Sequence, residues 1–123
     1  MAATNKVKVL ICDDSLLVRK KLRDILAEMD CEVIEASDGK MVVDVYKYNK
    51  PDLVFLDIVM PEADGLTALQ RLREQDPEAK VIMLSSAGTS SKLIEALKGG
   101  AMDFIQKPYS VEQIAKAIAK ISK

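Results

Sequence analysis

The chain has no histidine and no tryptophan among its 123 residues, and only two cysteines. Without histidine there is no imidazole for acid–base catalysis, and most zinc sites are closed off. Without tryptophan, and with aromatics at 4%, a base-stacking platform for nucleic acid has little to build on. Cys12 and Cys31 do not make a disulfide framework and read as small buried thiols of a reducing compartment. No apolar run nears the length of a membrane span, and the polar start Met1-Ala2-Ala3-Thr4-Asn5-Lys6 is not a signal peptide. The formal charge is -1, from 18 basic and 19 acidic side chains, so neither nucleic acid nor an anionic membrane is expected as a partner. The expectation is a cytoplasmic protein.

What is present is a regular alternation of two kinds of segment. The length suits one domain, residues 1–123, large enough to bury a real core. Val7–Cys12 is a short apolar, largely β-branched strand. Ser15 can cap a helix whose apolar residues Leu17, Val18, Leu22, Ile25, Leu26 and Met29 recur at helical spacing. Glu32–Ala36 is a second strand, and Asp38 can cap a helix reaching about Asn49 with Met41, Val42, Val45 and Tyr46 inward. Pro51 stops that helix, and Asp52–Leu56 is the third strand. Met60-Pro61-Glu62-Ala63-Asp64-Gly65 carries turn residues, and Leu66, Leu69 and Leu72 then line one helix face. Lys80–Leu84 is the fourth strand. Ser90 or Ser91 can cap a helix with Leu93, Ile94 and Leu97, which Gly99-Gly100 ends. Met102–Gln106 is the fifth strand, and Ser110 can cap a last helix bearing Val111, Ile114, Ala115, Ile118 and Ile121. Strict alternation of strand and helix implies α/β architecture, a parallel sheet covered on both faces and doubly wound. In such sheets ligands sit beyond the carboxyl ends of the strands, where the winding reverses.

The polar residues of most interest fall at those ends. Val9-Leu10-Ile11-Cys12 runs into Asp13-Asp14, Leu53-Val54-Phe55-Leu56 into Asp57, Val81-Ile82-Met83-Leu84 into Ser85, and Phe104-Ile105-Gln106 into Lys107-Pro108. Singly, each has a plainer reading: a helix cap, a turn residue, a loop serine, a solvated lysine. Together they converge on one rim. Two like charges about 4 Å apart repel by roughly 4 kcal/mol at an effective dielectric near 20, so three carboxylates there call for a bound proton or for cations. Lys107 is one cation, and Mg²⁺ with its oxygen ligands suits the second place. Asp57 is the candidate nucleophile, able to take a phosphoryl group as an acyl phosphate, with Lys107 offsetting charge and Ser85 donating a hydrogen bond.

On these motifs the chain resembles the receiver domain of two-component response regulators, most of all the stand-alone chemotaxis type. They are Ile11-Cys12-Asp13-Asp14-Ser15, Phe55-Leu56-Asp57-Ile58-Val59-Met60-Pro61 with Gly65, Leu84-Ser85-Ser86-Ala87, and Ala101-Met102-Asp103-Phe104-Ile105-Gln106-Lys107-Pro108. The resemblance implies a flavodoxin-like sheet of five strands ordered 2-1-3-4-5. It implies Asp57 as phospho-acceptor, and Asp14, Asp57 and the backbone carbonyl of Val59 as direct Mg²⁺ ligands, with Asp13 acting through a metal-bound water. Ser85 and Lys107 are then the groups that sense the phosphoryl group, and Phe104 stands at the switch-aromatic position. Many members carry Tyr there, and Phe cannot offer the hydroxyl. Val59 and Ala87, where the family tunes hydrolysis, cannot orient a water by hydrogen bonding, which suggests slow self-dephosphorylation; the alternative is that the small Ala87 admits water freely.

The implied partners are a sensor histidine kinase, which must supply the histidine this chain lacks, and a downstream target on the surface of the fourth helix, fifth strand and fifth helix. Lys92, Lys98, Lys116 and Lys120 are candidates for that surface or plain solvated charges. The start at Met1 and the helix running to Ser122-Lys123 lead us to expect a free-standing switch; what the resemblance implies is a monomer and a phospho-acceptor rather than a turnover enzyme. The alternatives are a phosphorelay carrier serving a histidine phosphotransfer protein, a receiver cut from a larger regulator, and, from another class, a Mg²⁺-dependent aspartate-nucleophile phosphatase. The phosphatase is disfavoured because it wants Asp-x-Asp after one strand, whereas Asp57 is remote from Asp13-Asp14. A dinucleotide-binding module is disfavoured because no glycine-rich phosphate loop follows the first strand.

Overall fold

The computed structural model describes residues 6–60, 65–86 and 90–121. Strands and helices alternate along them: β1 (Lys8–Cys12), α1 (Leu16–Glu28), β2 (Glu32–Ala36), α2 (Gly39–Asn49), β3 (Leu53–Asp57), α3 (Gly65–Gln75), β4 (Val81–Ser85), α4 (Ser90–Lys98), β5 (Asp103–Gln106) and α5 (Val111–Ile121). The strands form one parallel sheet in the order β2-β1-β3-β4-β5, as the resemblance implied. The chain therefore winds outward in one direction from β1 to β2 and in the other from β3 to β5, and the reversal lies between β1 and β3.

Side chains of successive strand residues point to opposite faces, and the two halves of the core divide accordingly. Val9, Ile11, Leu53, Phe55, Ile82 and Leu84 meet Leu22 and Leu26 of α1 and Ile114, Ala117 and Ile118 of α5. Leu10, Cys12, Val54, Leu56, Val81 and Met83 meet Val42, Tyr46, Ala68, Leu69, Leu72 and Ala96 of α2, α3 and α4. β3 and β4 are buried along their whole length, and β1 from Val9 on, as central parallel strands covered on both sides must be. Fully burying each large side chain here stabilises the fold by about 1.5–3 kcal/mol.

Local chemistry sets the helix starts. Ser15 caps α1, its Oγ accepting the Val18 N–H at 3.3 Å. Asp38 caps α2, accepting the Lys40 and Met41 N–H groups, each at 2.9 Å. The left-handed turn after α4 is made at Gly100, with φ +107, where a side chain would also strike the Arg73 guanidinium. Ser90 and Ser91, expected as caps, instead lie inside α4, which already begins at Ser90, and the loop Pro61 to Asp64, Ala87, and the termini Met1 to Asn5 and Ser122-Lys123 lie outside the described residues.

One residue expected inward, Met41, is corrected, and several other apolar residues at helical spacing also face outward. Leu17 of α1 is 79% exposed, and Met41 of α2 is also exposed, leaving Val42 and Tyr46 to fill the core. On α4, Ile94 and Leu97 face outward, and Leu93 and Ala96 make the contact. On α5, Val111 and Ala115 are exposed, and Ile114, Ala117 and Ile118 are buried. Periodicity marks an apolar stripe, but the width of sheet beneath a helix decides how much of it is covered. β1, β3, β4 and β5 also each begin one residue later than expected, and β3 and β4 run one residue further. Asp57 and Ser85 are therefore the last paired residues of their strands, opposite Leu84 and Gln106 respectively.

Candidate functional site

The rim formed by the ends of β1, β3, β4 and β5 gathers Asp13, Asp14, Asp57, Ser85 and Lys107. Carboxylate oxygens of the three aspartates lie within 4.8 Å of one another. Asp13 and Asp57 are buried, whereas Asp14 is exposed. The Lys107 ammonium bridges the buried pair, 2.9 Å from Asp13 Oδ2 and 3.3 Å from Asp57 Oδ2. Its own backbone is held to the sheet, its N–H donating to the Ser85 carbonyl at 2.7 Å.

The three aspartates are engaged very differently. Asp13 is held on every side: its N–H donates to the Ala36 carbonyl at 3.3 Å, its Oδ1 accepts the Ser15 N–H at 2.9 Å, and its Oδ2 takes Lys107. Asp57 accepts the Val59 N–H on Oδ1 at 3.2 Å and Lys107 on Oδ2. Asp14 has no hydrogen bond or ion pair to its carboxylate among the described residues, so it is open to a ligand.

Charge is not balanced here. Burial, and then the neighbouring Asp13 charge, raise the Asp57 pKa from 3.8 to about 6, although Lys107 and the Val59 N–H work in the other direction. Burial also disfavours the Lys107 ammonium, but its hydrogen bond to Asp13 and the two carboxylate charges more than offset this and hold its pKa above the ordinary lysine value. The Ser85 Oγ is buried and finds no hydrogen-bond partner among the described residues. Excess negative charge, an unengaged carboxylate and an unpartnered buried hydroxyl together fit a hard divalent cation and an incoming oxyanion.

Two neighbours shape the pocket from below. Gly65 opens α3 with its N–H on the Ile58 carbonyl at 2.8 Å. A Cβ there would lie 2.2 Å from the Asp57 carbonyl oxygen, so only glycine permits this approach. Cys12 donates its thiol to the Asp38 carbonyl at 3.3 Å and lies 3.6 Å from the Met60 sulfur. Burial, with the charges of Asp38, Asp13 and Asp57, pushes its pKa up to about 12, which favours the thiol over the thiolate. This agrees with the plain reading of Cys12, and Cys31 is also a free cysteine.

Farther out, Val59 is about half exposed at the lip, and the Phe104 ring is 40% exposed rather than seated in the core. Tyr109 is buried among the α5 residues, with the Lys21 ammonium 5.9 Å from its ring centroid. Lys120 is paired with Asp103, so of the lysines noted on that surface it is not a free charge. One residue was missed in the sequence. Arg19 donates from a terminal guanidinium nitrogen to the Asp13 carbonyl at 2.6 Å and from Nε to Glu35 at 2.9 Å. The available signal was a lone carboxylate, Glu35, in the otherwise apolar Val33–Ala36 stretch facing a helix with arginines at 19 and 23.

An acidic pocket with one bridging lysine, at the winding reversal of a 2-1-3-4-5 parallel sheet, is a place fitted to a divalent cation and an oxyanion. The chain belongs to the response regulator receiver family, whose domain model matches residues 9–119. It is 43% identical over 114 residues to the chemotaxis protein CheY of Bacillus subtilis, covering 92% of this chain and 95% of that one. The structure of CheY4 of Vibrio cholerae superposes with a TM-score of 0.88 at 25% identity, covering 95% of this chain and 99% of the other. NtrX of Brucella abortus superposes with a TM-score of 0.89 at 30% identity, but this chain, 94% covered, spans only 26% of the length of NtrX. The chain is thus a receiver domain closely related to CheY. Such domains are signalling switches that bind Mg²⁺ in an acidic pocket and interact with histidine kinases and downstream targets. Among the described residues no helix is long and apolar enough to cross a membrane.

Proposed function

We propose that this chain is a free-standing chemotaxis switch that takes a phosphoryl group onto Asp57 from a sensor histidine kinase. The observation that carries the reading is the cluster itself: three carboxylates within 4.8 Å, one lysine shared by two of them, and a buried hydroxyl without a partner. An oxygen of Asp57 forms the bond to phosphorus as the phosphorus–nitrogen bond of the donor phosphohistidine breaks, leaving an acyl phosphate and freeing the donor imidazole. Asp14, Asp57 and the Val59 carbonyl would hold Mg²⁺, with Asp13 acting through a water. Asp13 suits that indirect place because its two oxygens already serve Ser15 and Lys107. The cation, when bound, neutralises charge on the transferred phosphoryl oxygens.

Lys107 then has a third anion to serve, and Ser85 gains the acceptor it lacks. Phosphorylation adds about -1.5 to -2 charge, enough to pull the Ser85 hydroxyl toward it and to leave space into which Phe104 turns from its exposed position. The readout follows on α4, β5 and α5, where Ile94, Leu97 and Phe104 expose apolar surface suited to a protein target. The reverse step, attack of water on the acyl phosphate, receives no hydrogen-bonding help from the Val59 side chain, which favours a long-lived phosphorylated form.

The test is intact-mass spectrometry after incubation with a small phosphodonor and Mg²⁺. Wild type is expected to gain the mass of one phosphoryl group, Asp57→Asn none, and both none in excess EDTA. Equal labelling of the two proteins removes Asp57 from the role.

A further inference from the structure

We propose that Arg19 is a positioning residue of the acidic site, aiming the carboxylate of Asp14 through the peptide that joins it to Asp13. The inference rests on the reading of this rim as a divalent-cation site. Arg19 itself touches neither the cation nor the phosphoryl group.

The carbonyl that Arg19 grips belongs to the peptide linking Asp13 to Asp14. That unit is planar, so fixing its oxygen fixes the plane and with it the direction in which the Asp14 Cα is presented. Asp14 needs this more than its neighbours do. Asp13 is located by its own N–H and by both carboxylate oxygens, and Asp57 lies on the sheet ladder. Asp14 is exposed and its carboxylate has no partner among the described residues, so its backbone is what sets its aim.

Arg19 is in turn made rigid. Its side chain is 13% exposed, and its Nε pairs with Glu35 Oε1 at 2.9 Å. Glu35 is held from its other oxygen by Arg23, also at 2.9 Å. The planar fork of the guanidinium lets one side chain serve the β2 carboxylate and the loop carbonyl together, which a lysine ammonium cannot reproduce in the same geometry. The Arg23–Glu35–Arg19 chain thus ties β2 and α1 to the one acidic residue that would otherwise be free to turn.

The test separates aim from stability. Thermal melts are recorded in EDTA and across a MgCl₂ titration for wild type, Arg19→Lys, Glu35→Gln and Asp14→Asn. Each Mg²⁺ midpoint is the apparent dissociation constant fitted to the logarithmic rise of that protein's own melting temperature with Mg²⁺, so a variant that is merely less stable starts lower but keeps the wild-type midpoint. We expect Arg19→Lys to need about 10-fold more Mg²⁺, at the low end for groups that orient a metal ligand, and Glu35→Gln, one step further from the ligand, about 3-fold more. Asp14→Asn is expected to lose the response. If Arg19→Lys melts lower in EDTA yet keeps its midpoint within 2-fold of wild type while Asp14→Asn loses its response, Arg19 is only a brace between α1 and β2. If wild type and Asp14→Asn respond alike, the cation site itself is wrong and the role of Arg19 falls with it.

Discussion

Asp57 and Asp76 stand at opposite rims of the same sheet, and their environments push them in opposite directions. Asp57 is buried beside a second carboxylate, and its pKa is raised to about 6. Asp76, after α3, accepts the Tyr46 hydroxyl at 2.8 Å and the Glu78 N–H at 2.9 Å, and these two donors hold its carboxyl below the ordinary value. The lower rim is finished: its acid has donors and gains from being charged. The upper rim is left in electrostatic debt, with its acids short of cations. That imbalance costs stability in the resting protein and is what allows the same residues to respond to a ligand.

The contrast can be broken most severely at Gly65. Gly65→Ala sets a methyl group 2.2 Å from the Asp57 carbonyl oxygen, so β3 and α3 must separate. We expect a loss of about 3 kcal/mol in urea unfolding, at the upper end of the usual cost of overpacking, together with loss of phosphoryl uptake.

Next in size is removal of the strained charge. The raised pKa of Asp57 means that its contribution to stability is fully present below about pH 3.8 and is lost as pH rises through about 6. Asp57→Asn keeps the shape without the charge. In EDTA at pH 7 it is expected to be more stable than wild type by about 1–2 kcal/mol, under a ceiling near 3 kcal/mol set by the shift, and its stability should fall less between pH 4 and 7. A less stable Asn variant at pH 7 would mean that Lys107 already balances the site.

The smallest effect is expected at the other rim and with the opposite sign. The contribution of Asp76 is present above its unfolded value and lost as pH falls through its lowered folded value. Asp76→Asn should therefore lower the urea midpoint slightly at pH 7 and leave it closer to wild type at pH 3.

The sheet was legible because its strands are short apolar runs bounded by residues with a definite local task. Ser15 and Asp38 cap where expected, and Pro51 follows α2. The candidate site residues stand out because each breaks such a run with a polar group at the same end, and Asp13, Asp14, Asp57 and Lys107 meet there. Helix faces were less so. Ile94 and Leu97 follow helical periodicity but lie beyond what β4 and β5 cover, and periodicity carries no information about where a sheet ends. Arg19 was overlooked for a different reason: its partner at the site is a backbone carbonyl, which leaves no trace in side-chain identity.

The pairing of β3 with β4 and of β4 with β5 carries Asp57 and Ser85 as its terminal rungs. The spacing of these two groups is inherited from main-chain register, so it depends little on which residues decorate the outer helix surfaces. Those surfaces can diverge toward new docking partners while the reaction chemistry underneath stays as it is, and a single reactive chassis can in this way serve many separate signalling circuits.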